Sequence, residues 1–324
     1  MSEIPEALVK VLRSQKYHII GRHSGVKKCR WTHESLVRNR TCYKQKFYGI
    51  PSHRCVQMSP ALVYCNQACL WCWRVMAEEI GAPYNEMKMT SIDEPELIVQ
   101  KSIEEQRRIL SGYNDLVIKG IVDKRKYREA LAPNQVAISL SGEPTLYPKL
   151  GELIDAYKKR DFTALLVTNG TIPDRLGNLE EEPTQLYVTV GAPDEDTYFE
   201  VCRPKTKSAY SLLMISLELM NSFSCPTVFR MTTAKCMNMK NPEGYARLVS
   251  KFNPTYVEVK AAMSVGYGVT TGRMRKGNMP SNREIREFAS DISRFSGYPL
   301  IMHDDDSRVS LLSKLSKPIG LRER

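Results

Sequence analysis

Three closely spaced cysteines, Cys65, Cys69 and Cys72, are the residues of this chain best suited to chemistry. They form a C-x3-C-x2-C pattern directly after the short apolar run 61–63, so three thiols lie on one small loop. Three thiolates can hold three corners of a cubane iron–sulfur cluster and leave the fourth iron without a protein ligand. A metal with an open position can bind a substrate or cofactor, as catalytic metal sites do. The pattern therefore predicts a catalytic iron–sulfur centre.

The alternative for the same loop is a structural zinc site. Such sites usually read as paired C-x2-C units that together supply four protein ligands. No C-x2-C partner follows Cys72 later in the chain, so the spacing favours the iron–sulfur cluster over zinc.

Two polar turns that follow predicted strands belong with this loop. Gly142 and Glu143 follow one apolar, β-branched run, and Thr168 and Asn169 lie at the end of the next. A glycine lets the backbone approach a ligand closely, and the carboxylate of Glu143 can accept hydrogen bonds from an ammonium group. For either motif alone, a tight strand-to-helix turn is the simpler explanation. Their recurrence at successive strand ends favours a shared ligand site.

A second set of cysteines lies upstream of the first. Cys29, Cys42 and Cys55 are equally spaced, with twelve residues between neighbours. A core cysteine is often a small buried hydrophobic residue, but three at equal spacing before a cluster loop favour a second metal site. The segment 21–58 that carries them mixes Lys and Arg with aromatic residues and has weak apolar periodicity. It is predicted to be an irregular extension that contacts nucleic acid or presents a solvated basic face.

Six short apolar, β-branched runs alternate with helical stretches from residue 61 onward. Strands that alternate with helices predict parallel strands joined by right-handed crossovers. Six such units indicate an α/β fold with a partial (βα)6, TIM-like barrel, whose chemistry lies at the C-terminal ends of the strands. The predicted strands are residues 61–64, 135–140, 164–168, 186–190, 228–232 and 256–261. The predicted helices are residues 3–20, 94–110, 149–159, 208–221, 242–251 and 281–295.

Length and composition favour one integrated domain with additions. The 324 residues include 42% hydrophobic and 26% charged residues, which is ordinary for a globular protein. We predict an extension over residues 1–58, which combines an N-terminal helix with the second metal site, and a core barrel with C-terminal elements over residues 59–324. The basic stretch 112–128 is predicted to be an insertion, and the Gly-rich loop 266–278 is a candidate for substrate contact.

Net charge and cysteine usage indicate the kind of partner and the compartment. The formal net charge of +11 favours a polyanionic partner such as nucleic acid, although solubility alone would also explain it. Nine cysteines in a chain without a recognisable export signal indicate a reducing compartment, so we expect a cytoplasmic protein. No apolar run reaches the roughly 18 residues of a membrane-spanning helix, and no membrane association is expected.

Together these motifs resemble those of the radical S-adenosylmethionine (SAM) superfamily. The matching residues are Cys65, Cys69, Cys72, Trp71 and the pair Gly142-Glu143. The resemblance implies a [4Fe–4S] cluster on the three cysteines whose open iron binds SAM, which is then cleaved to a 5′-deoxyadenosyl radical. It also implies that Gly142 and Glu143 contact the SAM amino group and that Trp71 lies near the adenine. Thr168 and Asn169 are predicted to line the same cofactor site.

The upstream cysteines narrow the resemblance to archaeal, single-domain tRNA 4-demethylwyosine synthases. The matching stretches are residues 41–74, SGEPTLYPKL (141–150), VTNGT (167–171), Arg203-Pro204, VEVK (257–260) and Asn278-Met279-Pro280. The resemblance implies that N1-methylguanosine beside the anticodon of tRNA(Phe) condenses with pyruvate to give the tricyclic base 4-demethylwyosine. The radical takes hydrogen from the N-methyl group, and the resulting carbon radical adds to pyruvate. A pyruvate C–C bond then breaks and a ring closes, so the expected enzyme is a carbon–carbon lyase.

The same resemblance implies a second [4Fe–4S] cluster on Cys29, Cys42 and Cys55, whose open iron binds or orients pyruvate. Lys44 occupies the position of a family lysine proposed to form a Schiff base with pyruvate, which makes it the predicted catalytic residue. Schiff-base formation needs a lysine with a lowered pKa, which a desolvated, cationic surrounding can supply. The alternative is that Lys44 only contacts a phosphate or the pyruvate carboxylate.

The chain departs from this family in two ways. Residues 190–193 read Val-Gly-Ala-Pro, and Gly191 stands where family members commonly carry an aspartate near the barrel mouth. The eukaryotic forms also carry a flavodoxin-like domain, which this sequence does not contain. We therefore expect a separate electron donor, and we expect the protein to be a monomer.

Two other functional classes compete with this one. A radical SAM activase that acts on a partner polypeptide is disfavoured by the upstream cysteines and the basic segment. A non-catalytic RNA-binding protein stabilised by zinc or iron–sulfur is disfavoured by Gly142-Glu143, because a binding module needs no SAM site. Cys202, Cys225 and Cys236 have no ligand-like spacing and are predicted to be structural. The turn 303–306, His-Asp-Asp-Asp, is predicted to be solvated rather than a hard-metal site.

Overall fold

The computed structural model describes residues 4–82 and 84–322, and its strands form one sheet. The strands are β1 (Tyr17–Ile20), β2 (Ser24–Lys27), β3 (Cys55–Ser59), β4 (Gln135–Ile138), β5 (Thr163–Thr168), β6 (Gln185–Thr189), β7 (Thr227–Thr233), β8 (Tyr256–Ala261), β9 (Leu300–Asp304) and β10 (Val309–Leu312). Their order across the sheet is β1-β2-β3-β4-β5-β6-β7-β8-β10-β9. The strands from β3 to β8 are parallel neighbours, whereas antiparallel pairs extend both edges.

Helices connect the parallel strands, as the alternation of patterns predicts. The helices are α1 (Glu6–Ser14), α2 (Arg30–Arg38), α3 (Tyr43–Tyr48), α4 (Pro95–Ser111), α5 (Asn114–Ile118), α6 (Lys124–Leu131), α7 (Leu150–Lys158), α8 (Pro173–Gly177), α9 (Glu195–Cys202), α10 (Ala209–Leu219), α11 (Pro242–Phe252), α12 (Tyr267–Thr270) and α13 (Asn282–Ser296). Among the described residues, no helix is long and apolar enough to cross a membrane. Six parallel strands with intervening helices confirm the predicted α/β fold.

Side chains on the parallel strands alternate between two apolar layers. Leu186 and Val188 of β6, for example, pack into the main core with residues of the surrounding helices. The side chains at the alternate positions of the parallel strands lie on the other face of the sheet and pack against α3 of the N-terminal extension. This inner cluster includes Tyr43, Phe47, Tyr48, Tyr187, Val228 and Tyr256. Burying one side chain of the size of Phe contributes roughly 1.5–3 kcal/mol, so α3 is bound firmly to the inner face of the sheet.

The N-terminal region is more regular than predicted. The helix predicted over residues 3–20 ends at Ser14, and residues 17–20 form β1 after Lys16, whose φ of 64° lies in the left-handed region. The segment predicted to be irregular contains β2, α2, α3 and β3, and β1, β2 and β3 pair in sequence. Each element has only four to nine residues. That length is too short for apolar periodicity to register.

The first parallel strand lies earlier in the sequence than predicted. It is β3, which begins at Cys55, and the apolar run 61–64 is a buried turn. Leu62 N donates to His23 O at 2.9 Å and Tyr64 N donates to Ala61 O at 3.1 Å, so this run pairs through a turn instead of a ladder. The predicted boundary after residue 58 falls inside β3, and Cys55 begins the first parallel strand instead of preceding it.

The turn 303–306 was predicted to be solvated, but it is partly buried in the structure. Asp304 is buried, and its carboxylate pairs with the Lys46 ammonium of α3. Asp306 pairs with Arg40, and Ser307 N donates to Asp304 Oδ2 at 3.0 Å. These ion pairs attach the N-terminal extension to the hairpin of β9 and β10. The predicted insertion over 112–128 contains α5 and the start of α6.

Candidate active site

Cys65, Cys69 and Cys72, the radical triad, lie on the loop that follows β3. Cys65 N donates to Glu86 O at 2.8 Å, and Cys72 N donates to Cys69 O at 3.0 Å. Leu70 N donates to Val201 O of α9 at 2.9 Å, which anchors the middle of the loop to a neighbouring helix. Backbone hydrogen bonds to distant segments therefore fix a stretch that has little regular structure.

Burial alone would keep the thiols of the radical triad protonated. It raises the pKa of Cys65 to about 12 and raises the pKa of Cys72 as well. The pKa of Cys69 is raised most by a hydrogen bond with Cys202 and then by burial. Thiolates that are buried in this way need a compensating positive charge. A bound iron ion supplies that charge, and the thiols that coordinate it are deprotonated. The donor set therefore fits an iron–sulfur cluster.

Two arginines hold the loop of the radical triad in place, and neither was predicted from the sequence. Buried Arg74 donates to Val63 O and Gln67 O, each at 3.1 Å, and pairs with Glu86. Arg273, from the loop after β8, donates to Cys69 O at 3.1 Å and to Cys72 O at 2.9 Å.

The Arg74 side chain also supports the fit of a cluster. Within residues 4–82 and 84–322, its buried Nε–H has no hydrogen-bond partner, although the guanidinium lies close enough to Cys65 and Cys72 to interact electrostatically. A buried donor left unpaired is unfavourable. A thiolate or a cluster sulfide beside it is an acceptor of the right charge.

Gly142 brings the turn after β4 directly against the radical-triad loop. Its φ is +73°, and a Cβ at this position would collide with Ala61 O and lie 2.6 Å from Tyr64 O. The next residue continues the contact, because Glu143 N donates to Tyr64 O at 2.8 Å. Only glycine fits this conformation and this spacing. The structure therefore explains this glycine by its contact with the backbone of the cluster loop, and its predicted close approach to a ligand stays a prediction.

The Glu143 carboxylate joins two strand ends. Oε1 accepts from Thr145 Oγ1 at 2.7 Å and from Thr168 Oγ1 at 2.6 Å, and Oε2 accepts from Asn169 N at 2.7 Å. Burial raises the pKa of Glu143, and these donors oppose that rise. A carboxylate has about four lone-pair sites, so Oε2 can still accept from another donor. The structure thus brings the predicted residues Glu143, Thr168 and Asn169 together and adds Thr145.

A network of polar side chains connects the hydrogen-bonded residues around Glu143 to the loop of the radical triad. Asn169 Nδ2 donates to Asn66 Oδ1 at 2.8 Å, and Asn66 Nδ2 donates to Thr171 Oγ1 at 2.7 Å. Asn66 lies directly after Cys65, so the end of β5 and the radical triad are held in register. The sequence signal for Asn66 was its place inside the cysteine motif.

Trp71 lies against the end of β6, beside Gly191. A Cβ at Gly191 would be 2.9 Å from Cη2 of Trp71 and 2.5 Å from Sγ of Cys202. The absence of a side chain at Gly191, where the family resemblance predicts an aspartate, therefore leaves room for the indole ring. Trp71 packs against the main core, and its place near an adenine stays a prediction.

Cys29, Cys42 and Cys55, the upstream triad, come from three elements and line one cavity of about 400 Å³. Cys29 is the N-cap of α2, Cys42 is the N-cap of α3, and Cys55 begins β3. Burial raises the pKa of Cys29 to about 11, and hydrogen bonds from the N–H groups of Trp31 and Thr32 oppose it. Helix N-termini favour thiolates and other anions, so this donor set also fits an anionic cluster.

The cavity that holds the upstream triad is strongly basic. Its basic lining residues are Lys27, Lys28, Arg30, Lys44, Arg230 and Lys260. Among the described residues, Asp306 is the acidic side chain in its wall. A cavity with this balance of charge attracts anions such as carboxylates and phosphates.

Lys44 lies deep in this cavity, as its position after Cys42 suggested. Its Nζ is 4.4 Å from the centroid of the Tyr187 ring. Burial lowers the pKa of Lys44, and the nearby Arg230 guanidinium lowers it further. Schiff-base formation by Lys44 needs such a desolvated, cationic surrounding. A lowered pKa increases the fraction of neutral amine, which is the nucleophilic form.

Glu258 and Lys260 of β8 are two further charged residues, neither of which was singled out from the sequence; Lys260 lines the cavity and Glu258 is buried. Glu258 accepts from the hydroxyl of Tyr43 at 3.0 Å and from that of Tyr48 at 2.9 Å. Burial, and after it the nearby Arg230 guanidinium, lower the pKa of Lys260 to about 8. Because side chains alternate along a strand, the sequence Val-Glu-Val-Lys in β8 was a signal that both charges share the inner face.

The nine cysteines are all free of disulfide bonds. In the described ranges 4–82 and 84–322, no group of three or more His, Cys, Asp or Glu side chains is arranged to hold a metal ion. A cubane cluster is larger than one ion, and each of its cysteine ligands binds a different iron.

Two family models match consecutive parts of the chain. The model of the radical SAM superfamily matches residues 60–249, and the model of wyosine base formation matches residues 251–314. The first match contains the radical triad and the hydrogen-bonded residues around Glu143, and the second contains Lys260 and Arg273.

Comparison with known proteins gives a consistent family. The chain is 45% identical over 315 residues to an S-adenosyl-L-methionine-dependent tRNA 4-demethylwyosine synthase of Pyrococcus abyssi, which covers 96% of this chain and 90% of the relative. A solved structure of TYW1 with a lysine–pyruvate adduct bound is 35% identical, covers 98% of this chain and 99% of that chain, and has a TM-score of 0.85. A crystal structure of archaeal TYW1 is 32% identical, with the same coverage and a TM-score of 0.80. The chain therefore belongs to the radical SAM superfamily and, within it, to the family of S-adenosyl-L-methionine-dependent tRNA 4-demethylwyosine synthases.

Proposed function

We propose that the protein converts N1-methylguanosine beside the anticodon of tRNA(Phe) into 4-demethylwyosine by condensing it with pyruvate, as a carbon–carbon lyase. The observation that carries the proposal is the basic cavity in which Lys44 and the upstream triad meet, next to the radical-triad loop of a radical SAM fold. Archaeal relatives that cover nearly the whole chain are named for this activity.

We assign one [4Fe–4S] cluster to Cys65, Cys69 and Cys72, with its fourth iron open to SAM. When bound and reduced, this cluster and SAM supply the 5′-deoxyadenosyl radical that takes hydrogen from the substrate methyl group. The protein positions the site: Arg273 holds the carbonyls of the loop, and the Gly142 turn packs against it. We further propose a separate protein as the electron donor and a cytoplasmic location for the reaction.

We assign a second [4Fe–4S] cluster to Cys29, Cys42 and Cys55, whose open iron would hold the α-keto acid. Cys29 lies at the N-terminus of α2, where the backbone N–H groups of a helix stabilise negative charge. The half-buried cations Arg230 and Lys260 in the same cavity wall favour a bound carboxylate. Pyruvate carries one carboxylate and one ketone, so this cavity offers a partner for each group.

We assign to Lys44 the formation of a Schiff base with pyruvate. The neutral amine attacks the ketone carbon, water leaves, and a C=N bond replaces the C=O bond. Two observations support this role, namely the position of Lys44 in the cavity of the upstream triad and the lysine–pyruvate adduct in the related TYW1 structure. The alternative contact of Lys44 with a free carboxylate would leave no covalent adduct to trap.

The nucleotide substrate has to leave its stack to reach this cavity. Enzymes that act on a base commonly extrude it into a pocket, and loop nucleotides extrude with the least loss of pairing. Lys27, Lys28 and Arg30 line the cavity together with Trp31. Such a mixture of cations and an aromatic ring suits phosphates and a base.

The experiment that tests this function is anaerobic incubation of the iron-reconstituted protein with N1-methylated tRNA(Phe), pyruvate labelled at all three carbons, SAM and a reductant. We expect label in the tRNA base, no label in unmethylated tRNA, and about eight irons per chain from two cubanes. If SAM is cleaved while the methylated tRNA stays unlabelled, the proposed function is wrong although the superfamily assignment stands.

A further inference from the structure

Trp73 links the two cysteine triads. It follows Cys72 of the radical triad directly in sequence, yet its side chain lines the cavity that contains the upstream triad and Lys44. It keeps 38% of its surface exposed, although it lines a cavity together with other apolar side chains. A large aromatic surface left open inside a functional cavity indicates a ligand that covers it.

The ring of Trp73 is held in place although it is exposed. Its Nε1–H donates to Leu140 O at 3.2 Å, just beyond the end of β4. Its backbone O accepts from Tyr267 N at 2.9 Å, and Gly266 packs so closely that a Cβ there would be 2.5 Å from Cβ of Trp73. The backbone of Trp73 is thus clamped by the loop after β8 while its ring faces the cavity.

The two tryptophans that flank Cys72 have different surroundings. Trp71 packs against the main core, close to Gly191 and Cys202. Trp73 lines the cavity with Trp31, Met263 and Val265. Trp71 therefore already has protein neighbours across its ring, whereas Trp73 offers a face to a substrate.

We propose that Trp73 is the stacking platform for the methylated purine of the tRNA. The inference rests on the proposed function, which requires the N-methyl carbon to lie between the radical source at Cys72 and the pyruvate at Lys44. Trp73 follows Cys72 in the sequence and lines the same cavity as Lys44, and its indole offers a flat π-surface of the size of a purine. Stacking of a base on an aromatic side chain tolerates any base and needs no hydrogen bond to its edge. Trp73 therefore orients the extruded base, and the chemistry acts on it.

The proposal is tested by RNA binding, which is independent of catalysis. Two anticodon stem–loops are compared, one with N1-methylguanosine and one with an abasic nucleotide at the same position. The iron-reconstituted wild-type protein is expected to bind the methylated RNA at least about fivefold more tightly, the effect of one stacked base. Trp73→Leu is expected to bring the ratio of the two affinities close to one without changing the affinity for the abasic RNA. Trp73→Phe, which keeps an aromatic face, is expected to retain most of the ratio.

A matched control is available on α13. Phe295 is 44% exposed and does not line this cavity, so Phe295→Leu removes a similarly exposed aromatic side chain elsewhere. It should keep the wild-type ratio of affinities. The iron content of each variant shows whether the cluster loop still forms.

Three results would overturn the stacking role. The first is a wild-type protein that binds both RNAs equally, and the second is Trp73→Leu with the wild-type ratio. The third is an equal loss of affinity for both RNAs in Trp73→Leu and Trp73→Phe, which indicates a structural role. The labelled-pyruvate experiment distinguishes a failure of the stacking role from a failure of the proposed function. If label enters the tRNA while Trp73→Leu keeps the wild-type ratio of the two RNA affinities, only the stacking role is refuted.

Discussion

The two cysteine triads are assembled in opposite ways. The radical triad lies within eight consecutive residues, 65–72, on one loop. The upstream triad spans residues 29–55 and joins the N-caps of two helices to the start of a strand. A local triad needs only the right spacing, whereas a dispersed triad exists only after the extension has packed on the sheet. The geometry of the radical triad therefore depends on local sequence, whereas the geometry of the upstream triad depends on tertiary packing.

The surroundings of the two triads differ as well. The cations nearest the radical triad, Arg74 and Arg273, are committed to the carbonyls of its own loop. The cations around the upstream triad, among them Lys44 and Lys260, face a cavity. The first arrangement holds a loop still, and the second leaves charge available to a substrate. We infer that the radical triad starts the reaction and that the upstream triad selects what is joined to the base.

The largest expected effect comes from removing one ligand of the radical triad. Cys69→Ala should abolish reductive cleavage of SAM and lower the iron content from about eight to about four per chain. Production of 5′-deoxyadenosine and chemical iron analysis measure the two effects. Cys236→Ala, at an exposed cysteine outside both triads, is the control and should behave like the wild type. Substantial SAM cleavage by Cys69→Ala would contradict the assignment.

Replacing Lys44 tests the upstream side of the comparison. Lys44→Ala should lower the rate of tRNA product formation by about a thousandfold or more, because the nucleophile is lost. Cleavage of SAM should continue, and borohydride should no longer trap pyruvate on the protein. Lys119→Ala, at an exposed lysine, serves as the control. A trapped pyruvate adduct that persists in Lys44→Ala removes Lys44 from the Schiff-base role.

Gly142→Ala tests whether the turn after β4 stabilises the loop of the radical triad. The new Cβ collides with Ala61 O at a φ of +73°, so we expect a loss of about 1–3 kcal/mol in the free energy of unfolding. Cluster iron at the radical triad should fall as well. Gly277→Ala is the matched control, because a Cβ there meets nothing within 4 Å. Equal denaturant midpoints for the two variants would show that the contact is unimportant.

The smallest expected effect lies outside both triads, at the start of α13. Ser281 and Glu284 form a capping box, and hydrogen bonds from Ser281 and the ion pair with Lys235 lower the pKa of Glu284 to about 2. Glu284→Gln should cost about 1 kcal/mol of stability near neutral pH and leave both clusters unchanged.

The sign of the pH dependence follows from the lowered pKa of Glu284. A carboxyl whose pKa is lowered on folding stabilises the protein above its ordinary pKa of 4.5, and the contribution is lost as the pH falls towards about 2. The stability difference between the wild type and Glu284→Gln should therefore shrink between pH 4.5 and pH 2 in denaturant titrations. A difference that stays constant over this range would exclude the charge of Glu284 as its cause.

The sequence predicted those parts of the site that depend on local spacing. The radical triad, the Gly142-Glu143 turn and the five later parallel strands were all readable, because each signal lies within a few neighbouring residues. The run 61–64 was assigned to a strand wrongly, since burial of an apolar run does not reveal whether it pairs or turns. The strand itself, β3, begins with Cys55 and carries polar residues that weakened its pattern.

Contacts between distant segments could not be predicted. Arg273 reaches Cys69 across 204 positions of sequence, and Lys46 reaches Asp304 across 258. Only the folded sheet places the loop after β8 against the cluster loop, or α3 against the β9–β10 hairpin. For the same reason, the alternation of Glu258 and Lys260 indicated a shared face without revealing that Tyr43 and Tyr48 would occupy it.

The division of labour between the triads is tested most directly with the variant Cys29→Ala/Cys42→Ala/Cys55→Ala. It is incubated with SAM, reductant, labelled pyruvate and tRNA whose N-methyl group carries deuterium. We expect about four irons per chain, deuterium in the 5′-deoxyadenosine released, and no pyruvate label in the tRNA. Pyruvate label entering the tRNA base at the wild-type rate would contradict the division, because the upstream triad would then be dispensable for the condensation.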